Sequence, residues 1–502
     1  MRLLRRARTR LNEREESTLE KLLKPTSIAL VGVSSDAEKI SGRMLHILQG
    51  YQFAGTLYLI NARRVEIGGL KCYPSLSDLP ETPDLAIVLV PSQAVLGVVK
   101  EAVSMAVPHV IIYSSGFSEA GETGRAMAAD LLRATQGSRT RIMGPNSEGL
   151  IQVPRNLPLS FSPVIDPARQ RARFRPGTTA VVSQSGGIGF AVADHLERAG
   201  IGIHTVVTTG NEIDLELSDF VRYFATQPDV ENIFMFLEGL NDPAAFVEAC
   251  TLAHAHGKLL AAIKVGESAA GRPAVTAHTG KVPDENLDFK DLFRSAGVVP
   301  LADISDVIDV IQSKHRLRTA TGRRVAVVTV SGGGGIWVTD QLATVGLQTP
   351  RLTPELTASL RKYVQQYASL LNPIDVTAQA IYDGAFAPVL REIVAADEID
   401  AVLIVGTFGY DHKLLLDHDF RNAVEQSDKP IVVFSYTPPS NDATMEFETL
   451  GIPWFTSPRR AALALAAVCG RVPSSEASVS STRDVGRRAD PEVASAATDI
   501  AT

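Results

Sequence analysis

Cysteine, tryptophan and long apolar runs are all scarce in this chain. Of 502 residues, three are cysteine and two tryptophan, and aromatic residues make up only 6%. Cys72, Cys250 and Cys469 lie far apart with no CxxC spacing. That argues against a disulfide scaffold and a zinc site, and fits a reducing cytoplasm; no metal site is expected. No run approaches ~18 uninterrupted apolar residues, so no membrane span is expected. Basic charge is also short: 49 Lys and Arg against 56 Asp and Glu leave a net −7, where a nucleic-acid or anionic-membrane partner would favour the opposite balance. No G-x-x-x-x-G-K-[ST] loop occurs, and the turn after the opening strand is not G-x-G-x-x-G, which disfavours a Walker-type site and a nicotinamide dehydrogenase.

What is present is a repeating texture of short β-branched runs, small-residue turns and longer helical patterns. Ser27–Val31, Leu57–Ile60, Leu85–Val90, His109–Tyr113 and Arg141–Met143 form a first series. All-apolar strands alternating with helices predict an α/β protein with parallel sheets covered on both faces. The expected order is a flexible basic arm (1–22), a first unit (23–153), a Pro- and Arg-rich linker (154–176), a second unit (177–318), a third (319–472) and a disordered tail (473–502). The second and third units open alike. Ser185, Gly186, Gly187, Gly189, Asp194, Leu196 and Gly200 recur without gaps as Ser331, Gly332, Gly333, Gly335, Asp340, Leu342 and Gly346. This is an internal duplication of a strand, a Ser-Gly-Gly turn and a helix.

A strand ending in Ser-Gly-Gly before a helix presents bare N–H groups and a hydroxyl at the positive end of the helix dipole, a ready anion site. Such turns also occur where tight packing needs glycine; two matched copies favour function, with both helix ends serving one phosphate. In an open parallel sheet the ligand sits at the carboxyl ends of the strands, where the turns at Gly32, Ser114 and Gly144 would gather. Most of the ten histidines read as structural, including His254 and His256, whose spacing of two on a helix separates their rings. His278, in Val275-Thr-Ala-His-Thr-Gly, is expected on a small-residue loop just before a helix. Neutral imidazole is nucleophilic toward phosphorus and a passable leaving group, although an ordinary loop histidine is the competing reading. Glu238, at the carboxyl end of a strand, is placed to hold the far N–H of that ring and fix its tautomer.

Together these residues resemble the NDP-forming acyl-CoA synthetase family, which includes succinyl-CoA synthetase and the ADP-forming acetyl-CoA synthetases. The likeness runs from about Leu23 to Val468 and rests on several strings in the family's order: Gly32-Val-Ser-Ser, Ser115-Gly-Phe-Ser-Glu, Gly144-Pro-Asn-Ser, Ser183-Gln-Ser-Gly-Gly, Gly210-Asn-Glu-Ile-Asp, Leu237-Glu-Gly, Ala277-His-Thr-Gly, Ser331-Gly-Gly and Asn372-Pro-Ile-Asp. The resemblance implies a CoA-binding Rossmann-like domain followed by two flavodoxin-like ligase domains. It implies that His278 carries a phosphoryl group from ATP (with Mg²⁺), that Glu238 orients it, and that Ser183, Ser185, Gly186, Gly187, Ser331, Gly332 and Gly333 hold the phosphate. It further implies that CoA lies along Gly32, Ser34, Ser35, Lys39, Arg63, Pro91, Ser115, Gly116 and Asn146.

Three departures stand out. Lys281-Val-Pro-Asp-Glu follows His-Thr-Gly where the family has alanine and small residues, and Asn61-Ala-Arg replaces Asn-Pro-Lys, keeping a cation at Arg63. The three units also use all the expected folded length, leaving no room for the ATP-grasp domain that binds nucleotide. The expected protein is therefore the α-type subunit of a cytoplasmic acyl-CoA ligase, acting on a carboxylic acid and CoA with an ATP-grasp β-type partner, as a hetero-oligomer or a homodimer. The alternative is a CoA- or acyl-CoA-binding protein of the same fold with reduced or lost ligase activity.

Overall fold

Short runs of Val, Ile and Leu can be buried on both faces only within a sheet that helices cover, and three such sheets form. The computed structural model describes residues 19–169, 173–279, 287–320, 322–410 and 412–470. The first sheet contains β1 (Ser27–Val31), β2 (Thr56–Ile60), β3 (Glu66–Ile67), β4 (Leu70–Tyr73), β5 (Leu85–Val88), β6 (His109–Ile112) and β7 (Arg141–Met143), in the order β3-β4-β2-β1-β5-β6-β7. Apart from the antiparallel β3–β4 pair, its strands run parallel in the doubly wound 3-2-1-4-5-6 order of a Rossmann-type sheet.

The second sheet holds β8 (Gly149–Gln152), β9 (Leu157–Ser160), β10 (Pro176–Ser183), β11 (Ile203–Thr208), β12 (Asn232–Leu237), β13 (Leu259–Lys264) and β14 (Val299–Leu301). The third holds β15 (Val325–Thr329), β16 (Ser369–Leu370), β17 (Ile374–Asp375), β18 (Ala401–Gly406), β19 (Ile431–Ser435) and β20 (Trp454–Phe455). Their orders are β14-β13-β12-β10-β11-β8-β9 and β16-β17-β15-β18-β19-β20. In each, five parallel strands follow the flavodoxin order 2-1-3-4-5, with antiparallel strands added beyond the second. The duplication seen in the turns therefore extends to topology.

Three expectations need correcting. Residues 154–176 are not a linker: β9 lies within them, and the β8–β9 hairpin pairs with β11, so the second sheet begins at Gly149. Pro158 hid this strand, because a proline reads as a breaker; β9 is an edge strand, where a missing N–H costs no ladder bond. The arm is shorter than expected, since residues 19–23 form a helical turn with Leu19, Leu22 and Leu23 buried in the core. His278 lies on the helix Gly271–Thr279 rather than on a loop. The remainder of the arm and the tail fall outside the described residues, as does Lys281.

The units are tied together by apolar and polar contacts. One buried cluster runs from Leu30 and Ile87 of the first sheet to Val182 and Met235 of the second; another joins Val181 and Phe234 to Val327 and Leu403 of the third. Between the first two units the loop after β11 lies along the end of β7. Asn211, Ile213 and Leu215 donate N–H bonds to the carbonyls of Pro145, Gly144 and Ile142 at 2.9, 3.2 and 3.0 Å. The Asp214 carboxylate accepts from Arg141 Nε at 2.9 and 3.1 Å and from the Ile142 N–H at 2.7 Å. Asp214→Ala would leave the guanidinium and that N–H without their acceptor. The expected cost is about 2 kcal/mol of stability in denaturant unfolding.

Candidate active site

Ligands of doubly wound sheets bind where the strand order reverses, beyond the carboxyl ends of the two central strands. In the first unit these are β1 and β5, followed by Gly32 and by Val90-Pro91. Gly32 has φ +88°, and a Cβ there would lie 2.6 Å from Val90, so only glycine fits. The neighbouring turns are joined one to the next. The Ser114 hydroxyl donates to the Val90 carbonyl, Gly116 abuts Ser92, and the Asn146 N–H donates to the Ser114 carbonyl at 3.0 Å. Pro91 caps the helix Ser92–Ser104, and Ser34 accepts the Asp36 N–H at 3.1 Å. Ser35, Lys39, Arg63 and Ser115 are exposed nearby in the chain; Lys39 is 3.8 Å from Asp36, and the Arg63 N–H is held by Asn61 at 2.8 Å. The turns thus form one rim with cations beside it.

In the second unit the reversal falls between β10 and β12, which end at Ser183 and Leu237. Glu238 follows directly, and its Oε1 lies 3.7 Å from His278 Nε2. The ring is 63% exposed and the carboxylate 10%, so a largely buried carboxylate faces one side of an accessible imidazole. The Ser183 hydroxyl donates to the Ser185 carbonyl at 2.6 Å, and Thr329 makes the same bond to Ser331 at 2.7 Å. Gly189 and Gly335 are required by packing, since a Cβ would meet Ser183 at 2.9 Å and Thr329 at 2.8 Å. Gly187 and Gly333 are different: a Cβ on either would meet nothing within 4 Å. Packing does not account for these two glycines, whereas close approach of an anion to the backbone would. The Ser331–Gly333 turn is closed within its own unit, where the Ser331 hydroxyl accepts from the Gly334 N–H at 3.4 Å.

Five residues with no role assigned from the sequence prove central. The Gln184 carboxamide accepts the Glu238 and Gly239 N–H groups at 2.5 and 3.0 Å and donates to Glu212 Oε2 at 2.7 Å and the Gly239 carbonyl at 2.6 Å. Asn211 donates to Glu119 at 2.5 Å, and Glu119 also accepts from the Gly116 N–H at 2.6 Å. Burial works to raise the Glu119 pKa, but these hydrogen bonds outweigh it and hold the carboxyl below its ordinary range. The Ser118–Ala120 turn also packs on the helix that carries His278. A continuous set of contacts therefore leads from the rim of the first sheet to the His278–Glu238 pair. The fifth residue is Glu148, whose Oε2 would lie 2.8 Å from a Cβ on Gly186. Its carboxyl sits at the start of the helix Gly186–Arg198, and burial raises its pKa against the opposing Ser162 hydroxyl. In the third unit Asp375 stands in the same relation to Gly332, at 3.0 Å.

All five lay inside or beside strings rich in glycine at strand ends, which was the available signal. The remaining polar candidates have local roles. His204 is held by Asp229 at 3.0 Å and Thr205 at 2.8 Å, and His256 ends a helix. The three cysteines are buried and free, with Cys469 pushed up by burial to about 12. Among the described residues, no group of three His, Cys, Asp or Glu is placed to hold a metal ion, and no helix is long and apolar enough to cross a membrane.

Two measurements follow from this geometry. Gln184→Leu would strand buried N–H and carboxylate groups, lowering stability by about 2–4 kcal/mol in denaturant unfolding. Glu148 titrates higher folded than unfolded, so the stability it contributes is complete below the ordinary carboxyl range and is lost as pH rises through its raised value. Glu148→Gln should therefore raise the thermal midpoint at neutral pH, and this gain should vanish below about pH 4.

Comparison with known proteins agrees with this layout. Residues 26–151 match a CoA binding domain and residues 176–313 a succinyl-CoA ligase like flavodoxin domain. The α subunit of acetate–CoA ligase [ADP-forming] I from Pyrococcus furiosus is 30% identical, over 90% of this chain and 97% of its own length. Acetate–CoA ligase [ADP-forming] I from Archaeoglobus fulgidus is 28% identical over 90% of this chain, which matches 63% of that longer protein. The dinucleotide forming acetyl-coenzyme A synthetase 1 of Ca. Korarchaeum cryptofilum, solved in complex with phosphate and ADP, superposes with a TM-score of 0.64 at 28% identity, covering 90% of this chain and 96% of that one. With a relative matched almost end to end and two domain models laid in order over the first two sheets, this chain belongs to the NDP-forming acyl-CoA synthetase family.

Proposed function

We propose that this chain is the α-type subunit of an ADP-forming acyl-CoA synthetase, joining a carboxylic acid to CoA at the expense of ATP. The observation that carries the reading is the contact between the His278 helix and the Ser118–Ala120 turn. It supports convergence of a thiol held on the first sheet's rim with a phosphorylated ring at the second sheet's reversal point. CoA would follow that rim, with Gly32, Ser34 and Ser35 beneath its phosphates, Lys39 and Arg63 as cations, and Pro91, Ser115, Gly116 and Asn146 along the pantetheine.

In the forward direction an imidazole nitrogen of His278 attacks the γ-phosphorus of ATP, and ADP leaves. The Glu238 carboxylate faces Nε2, so a proton held there leaves Nδ1 with the free electron pair. A carboxylate oxygen of the acid then takes the phosphoryl group, giving an acyl phosphate and restoring the imidazole. The CoA thiolate attacks the acyl carbonyl and phosphate departs. The N–H groups at Ser185–Gly187 and Ser331–Gly333, with Ser183 shaping the first turn, stabilise charge on the moving phosphoryl group. The nucleotide and its Mg²⁺ would be held by an ATP-grasp β-type partner. The near-complete match to an α subunit and the partial match to a longer relative both support that division.

A second reading is a CoA- or acyl-CoA-binding protein with reduced or lost ligase activity. One observation favours it: the Glu148 carboxyl stands at a helix start that a phosphate would occupy. The two are separated by incubating the chain with an ATP-grasp partner, Mg²⁺ and γ-labelled ATP. Acid-labile, base-stable label is expected on the wild type and absent from His278→Ala. An unlabelled wild type that still binds CoA would establish the second reading.

A further inference from the structure

The seam between the second and third units encloses a cavity of about 300 Å³, at the lower end of the range for small-molecule sites. It lies by the amino ends of β14 and β15, bounded by Val298–Pro300 and Arg323. The turns discussed above are at the carboxyl ends of their strands, so this cavity belongs to the opposite edge. The inference below therefore does not rest on the proposed reaction.

Lys290, Arg294 and Arg323 line the cavity, and among the described residues no acidic side chain does. Arg323 is half-buried and, among the described residues, makes no side-chain hydrogen bond or ion pair. Its neighbour shows what a satisfied arginine looks like in the same place: Arg324 binds both oxygens of Asp400 at 2.8 and 2.9 Å and the Asp397 carbonyl at 2.8 Å. Among the described residues Arg294 has one charged partner, Asp291 at 2.8 Å, which is itself exposed. Arg294 and Arg323 flank Gly346, approaching an ideal Cβ there at 3.8 and 3.7 Å. Burial is the main cause that lowers the Arg323 pKa, and the nearby Arg294 charge adds to it. The ends of the helices Phe289–Ala296 and Gly332–Thr344 offset part of that repulsion with their carbonyls, but they present no full negative charge. Much of the remaining lining is apolar, with Phe293, Leu347 and Cys469 among its buried residues.

We propose that this cavity binds a small organic oxyanion, its carboxylate or phosphate head on Arg323 and Arg294 and its apolar body against Phe293 and Leu347. A guanidinium pair suits either head, because both offer two oxygens to a planar fork. The apolar wall excludes a fully hydrated ion as the preferred occupant. Lys290, at the exposed rim, adds charge that draws the anion in.

Calorimetric titration of the full chain with octanoate, octyl phosphate and inorganic phosphate tests this. At least one of the two amphiphiles should saturate at one site per chain, and which of them binds identifies the head group. Affinity should fall by about tenfold or more in Arg323→Gln and in Arg294→Gln. The second is a surface substitution, so its loss cannot be attributed to misfolding. Failure of both amphiphiles to saturate, or unchanged affinity in both variants, overturns the assignment. Inorganic phosphate binding as tightly as the amphiphiles would overturn the apolar half of it.

Discussion

All four hydrogen-bonding directions of the buried Gln184 carboxamide are used: two N–H groups on one side, a carboxylate and a carbonyl on the other. A buried amide must be satisfied in this way or lose the desolvation energy of each unpaired group. The consequence is geometric. The peptide of Glu238 and Gly239 has one position in which it meets Gln184, and Glu212 is held at the same junction. Glu212 in turn receives bonds from Thr209 at 2.8 Å and the Leu217 N–H at 2.9 Å, which fix the loop that reaches the first unit. The backbone position from which Glu238 faces His278 is thus set by the Gln184 amide.

The two Ser-Gly-Gly turns show how one local solution serves two demands. The later glycine of each repeat lets its helix lie close on its strand, a packing need that any such fold would share. The second glycine has open space beside it and marks where the backbone is left bare. Each turn is also faced by a carboxyl, Glu148 or Asp375, on its first glycine. A helix start that attracts anions is here partly answered by the protein itself, so an incoming phosphoryl group must compete with or displace an internal charge.

Much of the fold was legible because parallel sheets leave strong marks. Val-rich runs such as Ala180–Val182 and Val325–Val328 are buried throughout, and unbroken β-branched runs between small-residue turns identified them. β9 was missed because Pro158 and Pro154 look like breakers, and only the sheet edge makes proline acceptable. His278 was placed on a loop because Ala-Val-Thr-Ala-His-Thr carries little helical preference; its helix is held by packing on the first unit. The residues that position the site, Glu119, Asn211 and Gln184, were visible in the quoted strings but carried no distinguishing pattern. Their partners lie 28 to 92 positions away.

The sequence by itself determined the α/β class, the three-unit order and the duplicated turns. Those follow from local periodicity and from residue types at strand ends, which act over a few positions. Tertiary structure alone decided that the first sheet's rim meets the His278 helix, that Glu148 sits at a helix start, and that Arg323 and Arg294 come together beside Gly346 at a cavity between two units. Each of these is a contact between distant segments whose charge and burial are set by the neighbours that folding brings together.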